Sequence, residues 1–188
     1  MTIKSIRTAC IILCTTIIVA CSIGVNLVTY TGMKETIKKT NSDYKDAVIS
    51  GYKEQIKDEV GAMLTVVNMV YEKSQSGEMS EKDAKKEAME ILRNARYGED
   101  GEGYFWIDGT DYTLLMHPIL SEQEGTNRYD LKDQNGVKII QNIMKSAEAG
   151  GGYNEFYFTK ADGKTVAPKI AYSEEFEPWG WVITTGNY

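Results

Sequence analysis

Residues 153–172 read Tyr-Asn-Glu-Phe-Tyr-Phe-Thr-Lys-Ala-Asp-Gly-Lys-Thr-Val-Ala-Pro-Lys-Ile-Ala-Tyr. Two runs rich in aromatic and β-branched residues, Tyr153 to Thr159 and Thr165 to Tyr172, flank the pair Asp162-Gly163. An Asp-Gly pair tolerates the positive φ of a tight turn, so the stretch predicts an antiparallel hairpin. Three further runs of this kind follow on both sides: Tyr104 to Ile107, Tyr112 to His117, and Trp179 to Thr185. Asp108-Gly109 and Gly150-Gly151-Gly152 supply turn signals between them. One helix interrupts the series. Val137, Ile140, Ile143, Met144 and Ala147 fall on one helical face, and the Gly150 run stops it.

Upstream the period is helical throughout. Ser80-Glu-Lys-Asp83 fits a capping box that opens a short helix. Ala84, Ala88, Ile91, Leu92 and Ala95 form its narrow apolar face, and Gly98 is placed to end it. Before it, Tyr44, Val48, Tyr52, Ile56, Val60, Met63, Leu64, Val67 and Tyr71 recur at steps of mostly three or four. This pattern predicts a long amphipathic helix over 41–74, roughly 50 Å at ~1.5 Å per residue. That exceeds the width of a domain this size, so part of it is expected to stand clear of the globule or to pack on a partner, most simply in a homodimer. The element order predicts an α+β fold, a PAS-like antiparallel sheet of about five strands with helices on one face.

The N-terminal segment is of another kind. Lys4 and Arg7 precede an uncharged run from Thr8 to Met33. As a helix it would span roughly 39 Å, more than the ~30 Å hydrocarbon core. The expected organisation is a short cytoplasmic tail (1–7), a transmembrane anchor (8–33) and an extracytoplasmic domain (34–188). Lys34, Lys38 and Lys39 follow the run, so charge bias alone does not orient it. Ile18-Val19-Ala20-Cys21 also resembles a lipoprotein cleavage box, which leaves a lipid-anchored binding protein as an alternative.

Composition excludes several function classes. The chain's three cysteines, Cys10, Cys14 and Cys21, all lie in the apolar run, so the remainder can form no disulfide framework and no thiolate metal site. Residues 34–188 carry 19 basic and 27 acidic side chains, a net −8 that disfavours nucleic acid. His117 is the single histidine, and no nucleophile–base pair, P-loop or HExxH element accompanies it. No enzyme activity, cofactor or metal is therefore expected. Asp108 to Asp111 reads as a plain β-turn rather than a calcium loop, because the later oxygen ligands are missing.

Arg96-Tyr97-Gly98, Gly103-Tyr-Phe-Trp-Ile-Asp108 and Met116-His117-Pro118 together resemble the second single-Cache family. So do Gly125, Asp130-Leu-Lys-Asp133, Gly136-Val137, Lys169-Ile-Ala-Tyr172 and Phe176-Glu-Pro-Trp-Gly-Trp-Val-Ile-Thr-Thr-Gly-Asn-Tyr188. The resemblance covers about 40–188. It implies the extracytoplasmic input domain of a bacterial chemotaxis receptor or sensor histidine kinase. It also implies a short carboxylate as ligand, such as acetate, propionate, lactate or pyruvate. The cytoplasmic signalling output that it further implies lies outside this sequence. A scaffolding or adhesion module with a degenerate pocket is the alternative.

For a carboxylate, the pocket needs cationic or strong donor groups inside an aromatic wall. Tyr104, Trp106, Tyr157 and Tyr172 are the expected walls and donors. His117, Lys169 and Arg96 are the expected cationic or polar anchors, with Met116 as a further wall. Arg128 is expected at the surface. Acetate has four heavy atoms, and at ~1.5 kcal/mol per atom its best dissociation constant is roughly 40 μM. So small a ligand must be almost fully buried.

Overall fold

The computed structural model describes residues 3–99, 101–160 and 162–188. It separates into two compact units, Met1–Ile49 and Ser50–Tyr188. Helix α1 (Ile3–Gln75) is unbroken. The expected division between an anchor ending at 33 and a helix starting at 41 leaves no gap in the hydrogen-bond ladder. Lys34 to Thr40 contains neither proline nor glycine to interrupt it. The N-terminal unit holds an 18-residue window of mean hydropathy 2.4 and is long and apolar enough to cross a bilayer. Ile11, Leu13, Ile17, Val19 and Ile23 on it are exposed. The expected tail at 1–7 lies partly outside the described residues.

The second unit begins with the C-terminal part of α1 and continues with α2 (Glu81–Asn94), whose Ser80 hydroxyl accepts the Asp83 N–H at 3.1 Å. Its end falls at Asn94, short of Gly98. Gly98 instead serves a loop closed by a bridge between Tyr97 and Gly103. Strands β1 (Phe105–Gly109) and β2 (Leu114–Met116), helix α3 (Ile139–Glu148), then β3 (Gly152–Thr159), β4 (Val166–Phe176) and β5 (Trp181–Asn187) complete the unit. The sheet runs β2-β1-β5-β4-β3, with every neighbouring pair antiparallel.

The sheet is covered on both faces, where one was expected. Phe105, Ile107, Tyr172, Trp181 and Ile183 pack with Ile56, Val60 and Val67 of α1 and Ala84, Ala88 and Leu92 of α2. Trp106, Ala171, Val182 and Phe156 pack with Ile139, Ile140, Ile143 and Met144 of α3 on the other. The alternation along each strand sends successive side chains to opposite layers. Five strands with one bare aromatic face would expose a large apolar patch, and the second layer removes it. At Gly186 a Cβ would sit 2.5 Å from the Ile170 carbonyl and 2.9 Å from Ala171 Cα. Only glycine lets β4 and β5 approach this closely there.

Candidate functional site

The α3-side face of the sheet carries the chemistry. Lys169 points from β4 into this layer and is 2 % exposed. Its Nζ donates to the Tyr104 hydroxyl at 2.8 Å. It lies 4.4 Å from the Tyr104 ring centroid, 4.8 Å from that of Trp106 and 4.9 Å from that of Tyr188. No carboxylate of the described residues forms a salt bridge with it. Burial pushes the Lys169 ammonium down to about 7. An ammonium has three N–H donors, and here one is used.

His117 stands across the cavity, its ring 5.3 Å from Tyr104 and 5.9 Å from Trp106. Nδ1 accepts the backbone N–H groups of Ile119 and Leu120, both at 3.1 Å. An Nδ1 that accepts cannot carry the proton, so the neutral ring holds it on Nε2. Burial, then the charges of Lys169, Arg128 and Arg93, push the imidazole down to about 3. At neutral pH His117 is an uncharged donor.

A buried ion pair supports this arrangement. Asp108 is fully buried and receives Arg128 Nε at 3.1 Å and Nη2 at 2.6 Å, on different oxygens. Trp106 Nε1 donates to the same carboxylate at 3.1 Å. Burial raises the Asp108 carboxyl, while Arg128 and the indole N–H oppose it. Arg128 Nη1 has no hydrogen-bond partner among the described residues.

These groups surround a cavity of about 10 Å³, the room of a single water. Lys169, His117, Arg128 and Trp106 line it together with the apolar Leu131, Ile139, Ile140, Phe156 and Phe158. A cleft of about 470 Å³ adjoins it through the shared walls His117, Arg128, Leu131 and Phe158, and it is edged by Leu120 and Gly163.

Of the expected site residues, Tyr104, Trp106, His117 and Lys169 come together. Four others do not join the cage. Arg96 is exposed, and its guanidinium turns back onto the carbonyls of Arg93 and Ala95 at the end of α2. It borders only an outer cleft. Tyr157 opposes Pro168, not Lys169, so its side chain belongs to the opposite face. Tyr172 also lies on that face, packed on Tyr153 at 4.9 Å and donating to Glu174. Met116 is fully buried in the α1 and α2 core. Asp108 and Arg128 carry the site's buried pair, although Asp108 read as a turn residue and Arg128 as surface. Trp106 and Asp108 are two apart in one strand, so the alternation that turned the indole inward also turned the carboxylate.

Residues 48–188 match the family described as Single Cache domain 2. The chain belongs to that family. It is similar to the sensor histidine kinase MctS of Rhizobium johnstonii, 32% identical over 125 residues, and to the methyl-accepting chemotaxis protein McpP of Pseudomonas putida, 26% identical over 114. Those stretches are 66% and 60% of this chain but 26% and 21% of the relatives, so the match spans about a quarter of their length. A solved periplasmic sensor domain of a chemotaxis protein is 28% identical, with a TM-score of 0.71 over 74% of this chain and 96% of that one. A Cache chemosensory domain, described for its carboxylic acid recognition, shares the fold at 22% identity and a TM-score of 0.71, covering 76% and 97%. Single Cache domains are sensory rather than catalytic, and the relatives are receptors of chemotaxis and histidine-kinase signalling.

Proposed function

We propose that this Cache domain senses a C2–C4 monocarboxylate, held by Lys169 with His117 and Tyr104 around it. The observation that carries the reading is a buried ammonium that no carboxylate among the described residues pairs with. Burying an unpaired charge is costly, and an entering carboxylate supplies the missing partner. The Nε2–H of His117 and the free Nη1 of Arg128 offer further donors. Leu131, Ile139, Ile140, Phe156 and Phe158 suit a short alkyl tail.

Charge limits the ligand to one carboxylate. Arg128 is already neutralised by Asp108, so among the described residues that line the cavity Lys169 is the unpaired cation. Calorimetry is expected to detect acetate or propionate below 1 mM. Malonate and succinate should bind at least about 30-fold more weakly, since a second carboxylate would go unpaired at a cost of roughly 2 kcal/mol or more. Equal affinity for mono- and dicarboxylates, or no acid bound below about 1 mM, would rule the reading out.

The same lysine sets a pH dependence. The empty site loses its proton as pH rises through about 7, whereas the carboxylate complex needs the charged form. Affinity should therefore fall about tenfold per pH unit above 7, and binding there should take up a proton. Titrations in two buffers of different ionisation heat check this. A flat profile from pH 6 to 9 would contradict it.

In the same reading, the N-terminal apolar segment anchors the protein in a bacterial cell membrane with the domain outside, and α1 pairs with that of a second copy. Ligand binding would then shift an equilibrium between two arrangements of the paired helices.

A further inference from the structure

His117 is gripped through its backbone. Glu124, just after the 3-10 turn Ser121–Gln123, accepts the His117 N–H at 2.7 Å. The same carboxylate receives both Nη groups of Arg93, at 2.7 and 2.9 Å. Nη1 of Arg93 also reaches the His117 carbonyl at 3.5 Å. One bidentate ion pair thus touches the peptide groups on both sides of the histidine. It also pinches together the ends of the segment whose Ile119 and Leu120 N–H groups cap Nδ1. Arg93 comes from the last turn of α2, so the grip is anchored in regular structure. The partners' side chains are 34% and 24% exposed. Bidentate and partly buried, the pair has the fixed geometry that positioning requires.

We propose that Arg93 and Glu124 are positioning residues that hold His117 with Nδ1 capped and Nε2–H directed at the ligand. The inference rests on the reading of His117 as a ligand donor, yet its first readout needs no ligand. His117 is the chain's single histidine, so imidazole nitrogen and carbon NMR signals report on it alone.

In the wild type the ring is expected as the Nε2–H tautomer, titrating only at strongly acidic pH. In Glu124→Ala the Nδ1–H and Nε2–H tautomers should mix, and acetate affinity should fall about tenfold. Arg93→Lys keeps the charge but loses the fork, so the same shifts should be smaller. If Glu124→Ala does not fold, Arg93→Lys decides the matter. An unchanged tautomer in a folded variant would overturn the proposal, even if acetate binding weakens. Ring shifts as expected in a protein that binds no acid would uphold the positioning and overturn the carboxylate reading instead.

Discussion

Lys169→Met should abolish useful acid binding and yet stabilise the empty domain. Losing a charged donor costs roughly 2–3 kcal/mol, or about 30- to 150-fold in affinity, which carries a ligand that starts near 40 μM into the millimolar range. The empty protein responds in the opposite sense. Burial lowers the folded ammonium from the ordinary 10.5 to about 7. At ~1.4 kcal/mol per unit, the charge costs on the order of 5 kcal/mol below pH 7. The surrounding rings return about 1–2 kcal/mol as cation–π attraction, so methionine should gain about 3 kcal/mol. Between pH 7 and about 10 the unfolded chain holds more protons than the folded one. Wild-type stability should therefore rise across that window relative to the variant's, which lacks the group. Urea melts at pH 6, 8 and 10, with and without propionate, measure all of this. Parallel curves for the two proteins, or propionate stabilising both alike, would show that Lys169 is not the anion's partner.

The other large effect concerns stability. Asp108→Ala should destabilise the domain by about 3–5 kcal/mol and lower Tm by roughly 10 °C or more. The substitution strands the Arg128 charge in a buried site and leaves Trp106 Nε1 without an acceptor. Arg128→Met should cost less, because a lone buried Asp108 can protonate while the indole N–H still finds an oxygen. The double variant Asp108→Leu, Arg128→Met should recover much of the loss, since an apolar pair of similar volume leaves no charge unpaired. Thermal or chemical melts of the three proteins provide the test. A loss below about 1 kcal/mol for Asp108→Ala would mean that the pair is solvated.

Much of the fold was readable because short-range rules governed it. The Asp162-Gly163 turn, the Ser80 cap and the glycine stop after α3 each act through a few neighbouring residues. The two-sided covering of the sheet was not readable in this way, because α1 and α3 are distant in sequence. The site was legible in part for a related reason. Tyr104 and Trp106 declared themselves by content, and Lys169 and His117 by being the rare cationic or imidazole groups among strand residues. Tyr157 and Tyr172 misled because aromatic content does not reveal which face a residue occupies. Pairs counted outward from Asp162-Gly163 set Phe156 opposite Lys169 and Tyr157 opposite Pro168, so the hairpin already held the answer. Arg128 could not be found from its neighbourhood. Its partner lies 20 residues away, and nothing local distinguishes a buried arginine from an exposed one.

The closed cavity also bears on timing. A space with room for one water cannot admit propionate unless its walls part. Arrival of such a ligand would wait on openings among His117, Arg128, Leu131 and Phe158, the walls that the outer cleft shares with the cage. The association rate is the encounter rate scaled by the fraction of time the entrance is open. A narrow entrance delays departure as well as arrival. If the domain senses such an acid, concentration changes faster than exchange through this entrance would be averaged and slower ones followed. The cage would then act as a low-pass filter set by the packing around Lys169.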